Sequence, residues 1–173
     1  MAIVFSAGFL LLFADYYVVG RVAFDILPDI LGAALMLFAV IHIAKRLPDF
    51  KKATPYIWAA LGISAVSLAL GLMGRYEASY ITGILVTAAA AVGVYFYYEA
   101  LGYALLSEGE PGMAVKCSLQ WQIFLTLIIL SYAEIFMSAL RIPAFIAAAG
   151  MSIWLSVFFI KAGTKVFKGG KAL

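Results

Sequence analysis

The chain has 173 residues, a size for one domain, and 66% of them are hydrophobic, against about 45–50% in a soluble domain. Charged residues make up only 12%, about half the soluble norm, so a water-soluble globule of this size could not cover its apolar surface. The net charge of +3 says little by itself, and the single cysteine, Cys117, excludes an intrachain disulfide.

A bilayer is the solvent that suits such a composition. Its core, about 30 Å thick, needs roughly 20 residues of apolar helix. Six segments qualify, at about 2–20, 26–44, 55–74, 80–106, 117–140 and 142–161. The expected fold is an all-α polytopic membrane helical bundle, one transmembrane domain over residues 1–173 with six transmembrane helices.

The opening stretch MAIVFSAGFLLLF lacks the basic region of a secretory signal and reads as the first membrane helix. Asp15 lies toward its outer end, and Arg21 marks the corner that follows. Asp25 is placed to cap the second helix, with Pro28 and Asp29 in its first turn. Asp29 faces the positive end of that helix dipole. Asp25 and Asp29 are spaced i, i+4, so both can face one side, but two carboxylates fall short of a calcium site. Capping accounts for them, and no metal or other cofactor is expected. The second helix ends at His42, close to Lys45 and Arg46.

Thr54-Pro55 reads as a cap followed by proline at the first helical position of helix three. Arg75 and Glu77 occupy the next corner, and Ser79 can cap helix four. That helix carries Tyr95, Phe96, Tyr97, Tyr98 and Tyr103, with Glu99 among them, the pattern of an interfacial aromatic belt, with a substrate-stacking wall as the alternative. The segment SEGEPG, 107–112, is a break. Gln120, Trp121 and Gln122 open helix five, whose outer part holds Glu134. Arg141 marks the last corner, and the glycine-rich tail from Gly163 onward is expected to fray.

Orientation follows from loop charge. Lys45, Arg46, Lys51, Lys52, Lys116, Lys161, Lys165, Lys168 and Lys171 fall on one side, nine of the twelve cations, and only Arg21, Arg75 and Arg141 on the other. This places the N- and C-termini in the cytoplasm and requires an even number of spans. The basic tail suits anionic lipid at the inner leaflet and is no nucleic-acid patch.

Ionisable groups in spans are costly and are candidates for function. Asp15, Arg21, Asp25, Asp29, Arg75, Glu77, Glu134 and Arg141 form a candidate outer polar site, a vestibule for a charged small molecule. The bland alternative is a set of ion pairs and caps closing the outer loops. His42 and Glu99 form a candidate inner pair able to carry protons, or each snorkels to the cytoplasmic headgroups. Small residues spaced by four, Ala60 and Ser64, Ser67 and Gly71, Ala89 and Gly93, permit close helix approach, and Ala88 to Ala91 with Gly93 smooth one side of helix four.

The segment FDILPDILGAALMLFAVIHIAKRLPDFKKATPY resembles the first hairpin of an uncharacterised family of small multispanning Firmicutes membrane proteins. The shared core is a D-x-LPD-x-x-G hairpin motif, here Asp25, Leu27, Pro28, Asp29 and Gly32, with Phe50, Lys51, Lys52 and Ala53 after the helix. The resemblance implies a multi-pass protein of the bacterial plasma membrane and assigns no activity or site residues. In size and helix number alone, the chain is similar to the substrate-binding membrane subunit of energy-coupling-factor vitamin transporters.

The leading expectation is a small-molecule binding or transport component. The alternative is an accessory, regulatory or immunity-type protein acting through helix contacts with partner membrane proteins or a second copy of itself. One His, one Cys, and the absence of HExxH, GxSxG or a nucleotide loop weigh against an enzyme.

Overall fold

A computed structural model of the chain describes residues 1–14, 26–132 and 141–168. Every regular element among them is helical: α1 (Ala2–Ala14), α2 (Ile26–Ala44), a 3₁₀ segment (Pro48–Ala53), α3 (Thr54–Leu72), α4 (Tyr76–Ser107), α5 (Pro111–Tyr132) and α6 (Arg141–Lys168). The stretches Pro48–Leu72 and Glu77–Ser107 are long and apolar enough to cross a membrane. The expected continuations of helix one to residue 20 and helix five to residue 140 fall outside the described residues.

Backbone chemistry explains where the helices end. After α3, Gly74 takes φ +73°, its N–H donates to Gly71 O and that of Arg75 to Leu70 O. After α4, Gly109 takes φ +76°, its N–H donates to Leu106 O and that of Glu110 to Leu105 O. Both are the paired closure that satisfies the last carbonyls of a helix, and glycine adopts the left-handed φ without a Cβ penalty. Each turn is only three residues long, so α3–α4 and α4–α5 are tight antiparallel hairpins.

Four expectations at helix ends are corrected. Thr54 provides no side-chain cap, because the chain enters α3 from the 3₁₀ segment and Thr54 N–H already bonds Lys51 O. Ser79 does not cap α4, which begins three residues earlier at Tyr76. α5 begins at Pro111 rather than near residue 117, since proline at a first helical position loses no bond. Gln120, Trp121 and Gln122 therefore sit well inside that helix. α6 continues past Gly163 to Lys168, where Val166 is buried and Lys165 pairs with Glu110.

The interior is built on close approach and aromatic packing. α1 crosses α2 with Gly8 against Gly32. A Cβ on Gly8 would lie 2.5 Å from Gly32 O and 2.8 Å from Met36 N, and a Cβ on Gly32 would lie 2.7 Å from Gly8 O. α1 meets α6 through Ser6 Oγ donating to Ser156 O at 3.1 Å and Ser156 Oγ donating to Ser6 O at 3.5 Å. Phe5 and Phe9 of α1 are fully buried. Phe5 stacks on Tyr97 of α4 with centroids 3.6 Å apart, and Phe159 of α6 meets Phe5 edge-on at 5.1 Å.

α3 lies on α4 along the stripe Ile57, Ala60, Ser64, Ser67 and Gly71. Ser67 and Ser79 lock the far end of this seam. Ser67 Oγ donates to Ser79 O at 3.1 Å and Ser79 Oγ donates to Ser67 O at 3.3 Å.

Three contacts gather distant segments at one end of the bundle. Ala2 lies against Gly163, Phe50 of the 3₁₀ segment meets Phe167, and Glu110 of the α4–α5 turn pairs with Lys165. The outward surface is apolar on every helix, with Ile3, Phe38, Trp58, Ile81, Leu119 and Ile153 all more than half exposed.

Gly8→Ala and Gly32→Ala force a Cβ into facing backbone and are expected to cost about 1–3 kcal/mol each. The readout is the melting temperature of the purified protein, with Gly62→Ala, whose Cβ meets nothing within 4 Å, unchanged or raised. For the serine seam, a double-mutant cycle of Ser67→Ala and Ser79→Ala should give a favourable coupling of about 0.6 kcal/mol. A zero coupling would mean the two hydroxyls act independently.

Candidate aromatic groove between α4 and α5

The tight α4–α5 turn sets the end of α4 against the start of α5. Between them lies a groove of about 300 Å³, at the small end of the range for ligand sites. From α4 come Tyr95, Tyr98, Glu99, Gly102, Tyr103 and Leu106, and from α5 Ala114, Val115, Cys117, Ser118 and Trp121. The α4 set follows i, i+3, i+4, i+7, i+8, i+11, which is one face of a helix.

The space exists because small residues face each other. Gly102 has no side chain, and a Cβ placed there would still be 3.9 Å from Ala114 O and from Cys117 Cβ. Around this gap stand large rings. Tyr95 leans on Trp121 with centroids 5.4 Å apart, and Tyr98 is backed by Phe159 of α6 at 5.0 Å. Glu99, half-buried, is the only charged residue of the lining. Among the described residues its carboxylate has neither an ion pair nor a hydrogen-bond partner. Tyr98 is 2% exposed and its hydroxyl is also without a partner, as are the hydroxyl of Tyr97 and Oε1 of Gln120. Such orphans are uncommon in folded proteins and ask for an explanation.

The sequence-expected sites fare differently. Of the outer polar site, Asp15, Arg21, Asp25 and Glu134 lie outside the described residues. Asp29 sits in the first turn of α2, Arg75 is exposed in the α3–α4 turn, Glu77 is exposed in the first turn of α4, and Arg141 opens α6. Of the two readings of His42 and Glu99, a pair or separate side chains, the structure shows no hydrogen bond or ion pair joining them among the described residues. α2 packs on α1, α3 and the 3₁₀ segment, while α4 packs chiefly on α3 and α5. His42 is exposed and lies over Phe38, centroids 6.2 Å apart. Glu99 faces the groove instead.

The sequence carries a signal for the groove in the spacing of its aromatics. Tyr95, Tyr98, Glu99, Gly102 and Tyr103 share helical spacing, so a carboxylate, three rings and a gap fall on one face. Among the described residues, no group of three or more His, Cys, Asp or Glu is placed to hold a metal ion. Comparison with protein families, curated proteins and solved structures finds no match to this chain.

Proposed function

We propose that the chain is a multi-pass protein of the bacterial plasma membrane whose α4–α5 groove binds a small molecule, as the binding or transport component of a membrane system. The observation that carries the reading is the groove itself: a gap between two apolar helices, walled by Tyr95, Tyr98, Tyr103 and Trp121 and holding the unpaired carboxylate of Glu99. A carboxylate within an apolar helix is expensive unless it serves a ligand or pathway. Glu99 lies eight residues before the end of α4 at Ser107, about 12 Å along the axis.

Six crossings with both termini in the cytoplasm are part of the proposal. The nine-to-three division of cations supports it. So does the gathering of Ala2, Phe50, Glu110 and Lys165 at one end of the bundle, since these belong to the four segments that loop charge assigns to the cytoplasm. The apolar outward faces suit lipid and would be an aggregation hazard in water. In the alternative reading an accessory protein works through helix contacts; of the smooth stretch of helix four, Ala88 is exposed, while Ala90, Ala91 and Gly93 are buried and Gly93 is packed on Ile57.

A ligand screen on detergent-purified protein, read as thermal shift, tests the site. A true ligand at 100 times its Kd should raise the melting temperature by roughly 5–10 °C. Ser118→Trp, which fills the groove from an exposed position, should abolish the rise without lowering the melting temperature of the free protein. A rise that survives Ser118→Trp places the ligand elsewhere. Topology is tested in a Cys117→Ser background with single cysteines. Arg75→Cys should react with an impermeant maleimide in intact cells, and Lys45→Cys and Lys165→Cys only after permeabilisation. Labelling of all three in intact cells would rule the topology out.

A further inference from the structure

Resting on the groove as a ligand site, we infer that its ligand is an amphipathic organic cation, a substituted ammonium group carried on an apolar body. Charge comes first. Glu99 is the only carboxylate of the lining, no Lys, Arg or His lines the groove, and none pairs with Glu99 among the described residues. Lys116, the nearest cation in sequence on α5, is exposed and absent from the lining. Glu110 at the α4–α5 turn is already taken by Lys165, and Glu108 is exposed there. An anion would therefore meet an unneutralised carboxylate, and a purely apolar ligand would seal that carboxylate away from water without a partner, which is costly.

The rings give a second, independent argument. Tyr95, Tyr98, Tyr103 and Trp121 surround the same space, and Tyr95 and Trp121 meet at an interplanar angle of 54° rather than flat. Rings set at an angle around a cavity can present several faces to one cation, the recognition mode of quaternary ammonium groups. Tyr98 lines the groove with its ring, while its hydroxyl is buried and out of reach of a ligand there. An ammonium held between a carboxylate and ring faces leaves its substituents against Leu106, Val115 and Ala114, which are apolar. Two sources carry this chemistry: a free amine, or the head group of a choline lipid entering from the side of the groove.

The test uses three probes of matched shape: benzyltrimethylammonium, its neutral carbon isostere neopentylbenzene, and the anion phenylmethanesulfonate. Trp58→Phe and Trp154→Phe, both at exposed positions, leave Trp121 as the sole tryptophan and its fluorescence as a reporter within the groove. In nanodiscs of digalactosyl diacylglycerol, the ammonium should perturb Trp121 and bind at least tenfold more tightly than the neutral isostere, with the sulfonate weakest. Glu99→Gln should lower ammonium affinity at least tenfold and leave the neutral isostere unchanged, which also shows that the variant folds.

Nanodiscs of phosphatidylcholine separate the sources. Unchanged ammonium affinity points to a free amine, and a competitive loss points to the lipid head group, both within the proposed class. If the neutral isostere binds as tightly as the ammonium, or the sulfonate binds best, the cation assignment is overturned and the groove remains a ligand site. If no probe perturbs Trp121 and the ligand screen finds no shift sensitive to Ser118→Trp, both readings fall together.

Discussion

Gly8 and Gly32 bring the backbones of α1 and α2 into direct contact, and much of the remaining architecture hangs on that approach. Neither position has room for a methyl group. With α1 so placed, Phe5 and Phe9 point inward and Phe5 stacks on Tyr97. That stack fixes the rotation of α4. Successive residues on an α-helix turn by about 100°, so Tyr95 and Glu99, each two positions from Tyr97, point away from the central stack. The face they occupy is the one that α5 closes into a groove. A close crossing of two other helices thus determines which side chains of α4 are left to line the groove.

Polar groups inside the bundle are few and used sparingly. Ser6 with Ser156, and Ser67 with Ser79, each form reciprocal bonds between the hydroxyl of one helix and the carbonyl of the next. These join α1 to α6 and α3 to α4 without placing any charge in the interior. Against that economy, the carboxylate of Glu99 stands out: it lines the groove, and among the described residues packing gives it no partner.

Hydropathy located the helices because an apolar run of helical length has few other uses, and α2 and α3 lie close to where their runs predict. Helix ends were harder. Pro111 and Lys116 look like loop residues by polarity, yet proline is at home in a first turn and the helix simply projects further than its apolar part. Ser79 looks like a cap, but its hydroxyl is spent on a neighbouring helix that no local pattern announces. The choice between a His42–Glu99 pair and separate side chains is closed to sequence for the same reason: depth can be estimated from sequence, while adjacency depends on which helices touch. Gly32 is legible as part of a motif, but the reason for a glycine there is Gly8 opposite it, on another helix.

The contacts of α1 also imply an order of assembly. Gly8 and Gly32 are close in sequence, so their crossing can form as soon as both helices exist, at little cost in loop closure. Ser6 and Ser156 are 150 residues apart, and their seam must wait for almost the whole chain to be synthesised. Until then the face of α1 that carries Ser6 has no helix to cover it. α6 is therefore the closing stave of the bundle, and truncation before it would leave the assembly open along one side.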